Sequence, residues 1–233
     1  ASCEALEVAN FEDVTFGGDG AAVLARSLEK CPSLRHLNVR DSMLEEEGAE
    51  ELLEMLSTNA EGLEFLDLSG NDLMADSVEK VVACLKEKPA LKYLALDDNE
   101  IGNKGVFLLG QAITTPGQFP ALTTLSLKGC DVSAAGATFL ARVVAARGLE
   151  SAPLDGNFIS EAGLEECAAL LESAGGIDVF GPLEDNDEDF EEEEDDEDIA
   201  EIKAFDVSKL GAAAPAEDAA ADDLADALAK TTI

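Results

Sequence analysis

The chain has 233 residues, and 51 acidic against 15 basic side chains give it a formal net charge of -36 at pH 7. A charge this negative excludes a surface that follows nucleic-acid phosphates and disfavours a bare anionic membrane, because both would repel the protein. No run of 18 apolar residues and no signal-peptide pattern is present, which predicts an intracellular protein without direct membrane insertion. The five cysteines are odd in number and widely spaced, which favours reduced, packed thiols over a disulfide frame or a zinc site.

The charge divides the chain into three regions. Residues 1–183 carry 31 acids and 12 bases, and they contain enough apolar side chains for a folded core. Residues 184–198 carry 13 acids and no base, whereas residues 199–233 carry 7 acids and 3 bases. The sequence therefore predicts a folded domain, an acidic disordered block, and an Ala-rich tail that can form a short helix.

An internal repeat runs through the folded domain. Leucines recur as L-x-x-L-x-L, for example at Leu63, Leu66 and Leu68, in units of 27 to 31 residues. The units start at Leu6, Leu34, Leu63, Leu91, Leu122, Leu149 and Ile177. The first copy is weak and the last is partial, which leaves about six repeats and a C-terminal cap. This spacing is the leucine-rich repeat signature.

A polar residue follows each strand pattern at a fixed distance. Eight residues after the start, the column contains Asn71, Asn99, Cys130 and Asn157, with Val14 and Ser42 as departures. An amide at this place offers two donors and an acceptor, which can satisfy backbone groups of its own turn and of the next coil. We expect these four residues to form a structural ladder along the domain.

A helical pattern completes each unit. Small residues such as Gly48 and Gly105 lie fourteen residues after the start, and apolar residues follow at a four-residue step, as at Leu52 and Leu56. The pattern predicts an α/β fold, a solenoid of the ribonuclease-inhibitor class with a parallel sheet on its concave face and helices outside. The unit of 31 residues is expected to place its excess in a surface insertion over residues 114–120.

Side chains between the inward leucines alternate onto the concave face, where a partner would bind. We predict partner contacts on these strands and on the rim just beyond them. The candidates are Asn38, Arg40, Asp41, Asp67, Tyr93, Asp97, Asp98, Lys128 and Asp155. The alternative for each candidate is an ordinary solvated sheet face, since most surface positions are energetically quiet even inside real interfaces.

Intrinsic catalysis is not predicted. His36 is the only histidine, and the repeat geometry places no serine or cysteine nucleophile beside it. Aspartates of neighbouring repeats, such as Asp67 and Asp97, could form a carboxylate pair or a cation site. No phosphate loop, HExxH motif or calcium loop accompanies them, so the sequence indicates neither a metal site nor a cofactor.

The last repeat and its acidic exit carry the most specific signal. They read Leu154-Asp155-Gly156-Asn157-Phe158-Ile159-Ser160-Glu161-Ala162-Gly163-Leu164-Glu165, then Gly181-Pro182-Leu183-Glu184-Asp185-Asn186-Asp187, leading into the acids of 191–198. With these residues the chain resembles, over about residues 6–198, the C-terminal part of the GTPase-activating proteins for the nuclear-transport GTPase Ran, especially plant and algal forms. Earlier units such as Leu66-Asp67-Leu68-Ser69-Gly70-Asn71 agree, but many proteins with this repeat class share them.

The resemblance implies a regulatory protein without an active site of its own. Members of this family dock on the GTP form of Ran and order the catalytic glutamine of the GTPase without supplying an arginine finger. The resemblance also implies a cytoplasmic protein, found at the nuclear envelope as well, that acts in nucleocytoplasmic transport and engages a Ran-binding protein. We expect a monomer.

No catalytic residue is transferred by the resemblance. Family members carry more than six repeats, and their functional asparagine and arginine belong to early ones. The resemblance thus implies that, if the chain is a fragment, the functional asparagine lies ahead of Ala1, and the alternative is a chain whose initiating Met was removed by processing. Asn38 and Arg40, in the second unit, are only weak counterparts.

Other readings remain open for the acidic block, the tail and the function. The block could supply counter-charge to a basic patch on Ran or an accessory protein, or simply solubilise the chain. A non-catalytic scaffold could bind basic proteins such as histones through it, although proteins of that kind use shorter repeats without a full helix. An innate-immune or cytoskeletal repeat module would need further domains. In the tail, apolar residues from Ile199 to Leu210 either dock on the last repeat or stay mobile, and residues 222–230 are predicted to form a helix.

Overall fold

The computed structural model describes residues 3–187, 190 and 197–206, with side chains described for all of these except 197 and 198. Strands and helices alternate along the chain. In order, they are β1 Val8–Asn10, α1 Gly17–Leu28, β2 His36–Asn38, α2 Glu45–Thr58, β3 Phe65–Asp67, α3 Ala75–Leu85, β4 Tyr93–Ala95, α4 Gly102–Thr114, β5 Thr124–Ser126, α5 Ala134–Arg147, α6 Glu161–Leu171, a 3₁₀ helix Ile177–Phe180, and α7 Glu197–Ala204.

The five strands form one parallel sheet in the order β1-β2-β3-β4-β5. Each strand pairs with the next one along the chain, so that Leu37, Leu66, Leu94 and Leu125 occupy one row. All four leucines are fully buried between the sheet and the helices. A buried leucine row on one side of a parallel sheet needs a helix layer to cover it, and the helices that alternate with the strands provide that layer. The structure therefore confirms the predicted leucine-rich repeat solenoid.

The helices pack side by side because small residues stand where they meet. A Cβ added at Gly48 in α2 would lie 2.5 Å from the Cβ of Ala21 in α1, and one added at Gly163 in α6 would lie 2.5 Å from the Cβ of Ala134 in α5. Real side chains never approach so closely. The small residues that lie fourteen residues after each repeat start therefore fix the distance between successive coils.

The side chains of the ladder column bind backbone groups of two coils at once. The Asn99 carbonyl oxygen accepts from the backbone N–H groups of Asn71 at 3.1 Å and Leu73 at 2.9 Å. Its amide nitrogen donates to the carbonyl oxygens of Leu96 at 2.8 Å and Leu68 at 3.2 Å. Asn71 and Asn157 repeat this arrangement, and the Cys130 thiol donates to Leu96 at 3.1 Å.

The insertion in the longest unit turns partly inward. Helix α4 ends at Thr114, and Pro116 and Gly117 are exposed. Phe119, however, is 1% exposed, and its carbonyl oxygen accepts from Arg147 Nη2 at 2.9 Å. The predicted surface insertion is therefore wrong for Thr114, which is 2% exposed at the end of α4, and for Phe119, whose ring is stabilised by burial.

The C-terminal end of the sheet is irregular. The sixth repeat meets β5 through a single bridge between Thr124 and Ser151. Beyond it, the last partial repeat forms the 3₁₀ helix Ile177–Phe180 and accepts hydrogen bonds from Ala152 N at 2.8 Å and Leu154 N at 3.0 Å. This short element ends the regular repeats and covers the core, with Phe180 fully buried.

The predicted start of the disordered acidic block at residue 184 is too early. Asn186 accepts from Ile159 N at 3.1 Å and donates to Ile159 O at 2.6 Å, and Asp187 N donates to Asn157 O at 2.8 Å. Asn186 follows Asn157 by 29 residues, close to the repeat period. The amide thus continues the ladder although charged residues flank it, because its hydrogen bonds satisfy the last coil. Residues 188, 189 and 191–196 lie outside the described residues, so disorder there stays a prediction.

Part of the tail docks on the helical side of the solenoid. Helix α7 packs against α4 and α5, with Ile199 6% and Ile202 2% exposed. The Phe205 ring centroid lies 5.2 Å from that of Phe107 and 5.7 Å from that of Phe139. These residues of the apolar cluster are docked, but on α4 and α5 of the fourth and fifth repeats, so the predicted docking on the last repeat is wrong. Val207, Leu210 and the predicted helix over 222–230 lie outside the described residues.

Candidate functional site

An aromatic column crosses the concave face. The parallel register puts His36 of β2 opposite Phe65 of β3, and Phe65 opposite Tyr93 of β4. The ring centroids of His36 and Phe65 are 5.6 Å apart, those of Phe65 and Tyr93 are 4.4 Å apart, and both pairs are stacked. Cross-strand aromatic pairs of this kind stabilise a sheet and hold the rings rigid. Tyr93, a predicted contact, is therefore a fixed part of this surface.

A charged cluster lies at the carboxyl ends of the strands, and we call its members, Arg40, Asp41, Asp97, Asp98 and Lys128, the Arg40 cluster. The Arg40 guanidinium is 2.6 Å from Asp98 Oδ2, 3.3 Å from Asp41 Oδ2 and 3.5 Å from Asp97 Oδ2. Lys128 Nζ lies 3.3 Å from the same oxygen of Asp97. Arg40 thus reaches from the second repeat to the fourth, and the cluster unites five of the nine predicted contacts.

Asp97 anchors the cluster from inside. Its side chain is 3% exposed, and its Oδ1 accepts from Ser126 Oγ at 2.6 Å and from Lys128 N at 2.9 Å. The outer carboxylates differ, since the side chains of Asp41 and Asp98 are 49% and 56% exposed. Asp97 therefore positions the two cations, whereas Asp41 and Asp98 face solvent beside them.

The electrostatic environment keeps Arg40 charged. Burial lowers the pKa of its guanidinium, but the carboxylates of Asp67, Asp98, Asp41 and Asp97 raise the pKa by more than burial lowers it. Burial raises the pKa of Asp67, against the hydrogen bonds from Ser69 and the attraction of Arg40. The cluster therefore combines a permanent cation with carboxylates in unequal environments.

Asn38 and Asp67 shape the turns that carry the cluster. Asn38 Oδ1 accepts from Arg40 N at 2.9 Å, and Asp67 Oδ1 accepts from Ser69 N at 2.9 Å. The two residues are 9% and 8% exposed. Their oxygens satisfy backbone donors two residues further on, which is the usual role of a short polar side chain at a turn.

The rim needs an unusual backbone conformation. Asp41 and Asp98 have φ values of 50° and 53°, in the left-handed region, and Gly70 and Gly129 take the same column in the repeats that follow them. A Cβ on Gly129 would lie 2.8 Å from Asp98 Oδ1, and one on Gly70 would clash with Asp41. Each glycine therefore makes room for the aspartate of the preceding repeat.

A second ionic group lies at the other end of the strands, and the sequence analysis missed it. Glu64 Oε1 accepts from Arg35 Nε at 2.8 Å, and Glu64 Oε2 accepts from Lys92 Nζ at 3.2 Å. Burial raises the pKa of Glu64, but the hydrogen bonds and the attraction of Arg35 and Lys92 lower the pKa by a larger amount. The net shift of the pKa is therefore downward. The sequence does carry a signal for this group. The residue directly after the repeat start is positive, negative and positive in three successive repeats, at Arg35, Glu64 and Lys92.

Asp155, the last predicted contact, serves the C-terminal end. Its Oδ1 accepts from Asp185 N at 3.0 Å. This bond helps to hold residues 184–187 against the final repeat. The sequence analysis placed Asp155 on the strand pattern, whereas the structure places it in a turn and gives its carboxylate to the segment after the repeats.

Two features of the part of the chain that the structure describes bear on its chemistry. Within it, no three His, Cys, Asp or Glu side chains are grouped so as to hold a metal ion. Among the described helices, none combines the length and the apolar character that crossing a membrane requires. What the concave face offers is a rigid aromatic column flanked by two ionic groups, an arrangement suited to contact with a folded partner.

The chain carries leucine-rich repeats. A family profile described as "Leucine Rich repeat" matches residues 30–53, 88–110 and 120–141. The chain is 31% identical over 150 residues to RAN GTPase-activating protein 2 of Arabidopsis thaliana, an alignment covering 64% of this chain and 27% of that protein. It is 34% identical over 160 residues to the ribonuclease inhibitor of Sus scrofa, covering 68% of this chain and 35% of the inhibitor.

A solved structure is similar at a lower level. Leiomodin-1 Actin-Binding Site 2 is 16% identical with a TM-score of 0.49, covering 68% of this chain and 89% of that one. The alignments span only about a quarter to a third of the two curated relatives. The names of these two relatives describe a GTPase activator and an enzyme inhibitor, both of which denote action on another protein.

Proposed function

We propose that this protein is an activator of the small GTPase Ran that docks its concave face on the GTP form of Ran in nucleocytoplasmic transport. The observation that carries the proposal is the 31% identity over 150 residues to RAN GTPase-activating protein 2. The acidic exit of the last repeat, with its ladder amide Asn186, agrees with the resemblance described above. In this proposal the protein works in the cytoplasm and at the nuclear envelope, and a Ran-binding protein is a further partner.

The concave face supports docking through its rigidity. The Arg40 side chain is 27% exposed and is held between Asp41, Asp97 and Asp98, so little conformational freedom is lost when a partner contacts it. The Asp41 and Asp98 carboxylates stand on the rim, where they can meet basic side chains of a partner. In the aromatic column, Phe65 is buried, and the partly exposed rings of His36 and Tyr93 can make the apolar contact that important interface residues usually supply.

Activation in this proposal is positioning, and the chain supplies no reacting group. Phosphoryl transfer depends on placing the attacking water and stabilising charge, so a protein that orders the GTPase's own residues can accelerate the reaction. The repeats described here would provide a docking surface for that step. Residues that touch the reacting atoms are not assigned within this chain.

The direct experiment mixes the 233-residue chain with GTP-loaded Ran and measures both the dissociation constant and phosphate release under single-turnover conditions. Acceleration supports the full proposal, and binding without acceleration supports docking with activating residues supplied from outside this chain. Arg40→Ala and Asp98→Ala are expected to weaken binding by about tenfold, in the range of interface hot spots. Arg26→Ala is the matched control, because Arg26 is 61% exposed on α1 and pairs there with Glu51. No binding by the unaltered chain would refute docking on Ran.

A second candidate is a non-catalytic scaffold whose acidic end binds basic proteins such as histones. The observation that favours it is the block of 13 acids and no base over residues 184–198. Deleting residues 188–196 keeps the ladder amide Asn186 and removes most of the block. The second candidate predicts that histones bind the unaltered chain, that salt strongly weakens this binding, and that the deletion abolishes it. If these results are obtained and Ran does not bind, the second candidate replaces the first.

A further inference from the structure

Two cysteines occupy the same column in the first two repeats. Cys3 and Cys31 each lie three residues before a repeat start, at Leu6 and Leu34, and they are 28 residues apart. Both close the same turn, since Leu6 N donates to Cys3 O at 2.9 Å and Leu34 N donates to Cys31 O at 3.1 Å. The two residues therefore have equivalent backbone positions in neighbouring coils.

The neighbouring coils run side by side at this point. Arg35 N and His36 N both donate to Glu7 O, at 2.8 and 2.9 Å, and one residue later Val8 pairs in parallel with His36. Parallel chains in a sheet lie about 4.8 Å apart, and disulfides join residues whose Cα atoms are about 4.4 to 6.8 Å apart. Burial raises the pKa of the Cys31 thiol, and the neighbouring Cys3 raises it further, as expected for two thiols side by side in adjacent coils. Equivalent positions in two paired coils therefore place the Cys3 and Cys31 backbones at the spacing that a disulfide needs.

The five cysteines differ in their access to solvent. Cys3 is exposed, whereas Cys31, Cys84, Cys130 and Cys167 are buried, and all five are free thiols in this structure. Burial raises the pKa of Cys84 and Cys130 to about 12 and that of Cys167 to about 11. These three are therefore poor nucleophiles, because the thiolate is the reactive form. The exposed Cys3 is the thiol that an oxidant in solution can reach.

We propose that Cys3 and Cys31 form a reversible disulfide that ties the first repeat to the second when the protein meets a disulfide oxidant such as oxidised glutathione. The exposed Cys3 loses its proton to water, and its thiolate attacks one sulfur of oxidised glutathione, releasing one glutathione thiolate. Cys31 then gives up its proton to water and attacks the Cys3 sulfur, releasing the second glutathione. The two protein thiols are oxidised, one oxidised glutathione is reduced to two glutathiones, and the two protons end on the released thiolates.

The order of these steps follows from burial. Burial raises the pKa of Cys31, and the neighbouring Cys3 adds to the effect. Cys31 is therefore suited to resolve a mixed disulfide already formed beside it rather than to attack an oxidant in solution. A bridge here would clamp the edge of the solenoid, where β1 has its other side unpaired in the described sheet and Val8 is 45% exposed.

The test treats the native 233-residue chain with oxidised glutathione, blocks remaining thiols with iodoacetamide, and digests with trypsin for mass spectrometry. Cleavage after Arg26, Lys30 and Arg35 separates Cys3 from Cys31, so the fragments 1–26 and 31–35 remain joined only through a disulfide. We expect this pair, a loss of about 2 Da from the intact chain on bridge formation, and reversal by dithiothreitol. The oxidised chain should also show a higher thermal midpoint than the reduced chain, because the bridge restricts the unfolded state.

Two variants separate the roles of the thiols. Cys31→Ser should stop the reaction at Cys3 carrying one glutathione, and Cys3→Ser should leave Cys31 free and the thermal midpoint unchanged by oxidant. Cys84→Ala, in a buried column of α3, should still form the bridge. A native chain that keeps both thiols, stops at the glutathione adduct, or links Cys3 to a second chain would overturn the proposal.

Discussion

The amide ladder and the Arg40 cluster are both polar, and both run across several repeats, but they are held in opposite ways. Asn71, Asn99 and Asn157 are at most 2% exposed, and their partners are backbone groups of two coils. In the Arg40 cluster, side chains mainly hold one another, and the outer carboxylates are about half exposed. The ladder is thus part of the fold, whereas the rim of the cluster is available to a partner.

The difference follows from the cost of leaving a buried polar group without a partner. A turn inside the solenoid has backbone N–H groups that water cannot reach, so each needs an acceptor from the protein. On the concave rim, water can replace a lost partner, and exposed ion pairs contribute little to stability. Variants in the two regions should therefore separate folding from binding.

The largest effect is expected for Asn99→Ala. The change leaves Asn71 N and Leu73 N without their acceptor and removes the donor to Leu96 O, which should lower the free energy of unfolding by about 3 kcal/mol or more. Urea unfolding followed by circular dichroism measures the loss. Asn10→Ala is the matched control, because Asn10 is exposed and accepts one bond from Glu12 N, and it should change stability by about 0.5 kcal/mol at most. Equal losses in the two variants would contradict the structural role of the ladder.

A smaller effect is expected inside the Arg40 cluster, where two neighbouring aspartates can be compared. Asp97→Ala removes the acceptor of Ser126 Oγ and Lys128 N and should lower the free energy of unfolding by about 2 kcal/mol. Asp98→Ala removes an exposed partner of Arg40 and should cost less than about 1 kcal/mol. The same urea titrations measure both. If Asp98→Ala proved the more destabilising, the division into an inner anchor and an outer contact would be wrong.

The smallest effect is the pH dependence that His36 contributes. Burial lowers its pKa in the folded protein below the ordinary value of 6.5, so the unfolded chain binds the proton more readily. Stability should therefore be fully present above pH 6.5 and should fall as the pH drops from 6.5 toward the lower folded value. His36→Phe keeps a ring against Phe65 and should remove this slope. Unfolding midpoints at a series of pH values measure it, and an unchanged slope in the variant would exclude His36 as its source.

Much of the fold could be predicted from the sequence because a repeat states the same physical requirement several times. The leucine positions are buried from the second unit to the sixth, and the position fourteen residues after each repeat start contains small residues where helices meet. The concave alternation was equally readable, since side chains on a strand change face at every residue. Five of the nine predicted contacts therefore lie together in the structure.

Irregular parts were harder to predict because they occur once. The fold of residues 184–187 depends on Asn186 matching the last coil, a signal hidden among thirteen acids. The docking of α7 depends on Phe107 and Phe139 lying side by side on two helices, at positions 32 residues apart. The ionic group around Glu64 was visible as alternating charge, but its members lie outside the concave alternation used to select candidates.

By itself, the sequence determined the repeat, the side of each strand that meets the core, and the residues available on the concave face. These follow from local periodicity, because side-chain direction is set by the backbone every second residue in a strand and every turn in a helix. Only the tertiary structure decided that Arg40 reaches Asp98, 58 residues away, and that Asp97 is the buried anchor between two cations. Such pairings depend on the curvature and stacking of the coils, which place side chains from different repeats within contact distance.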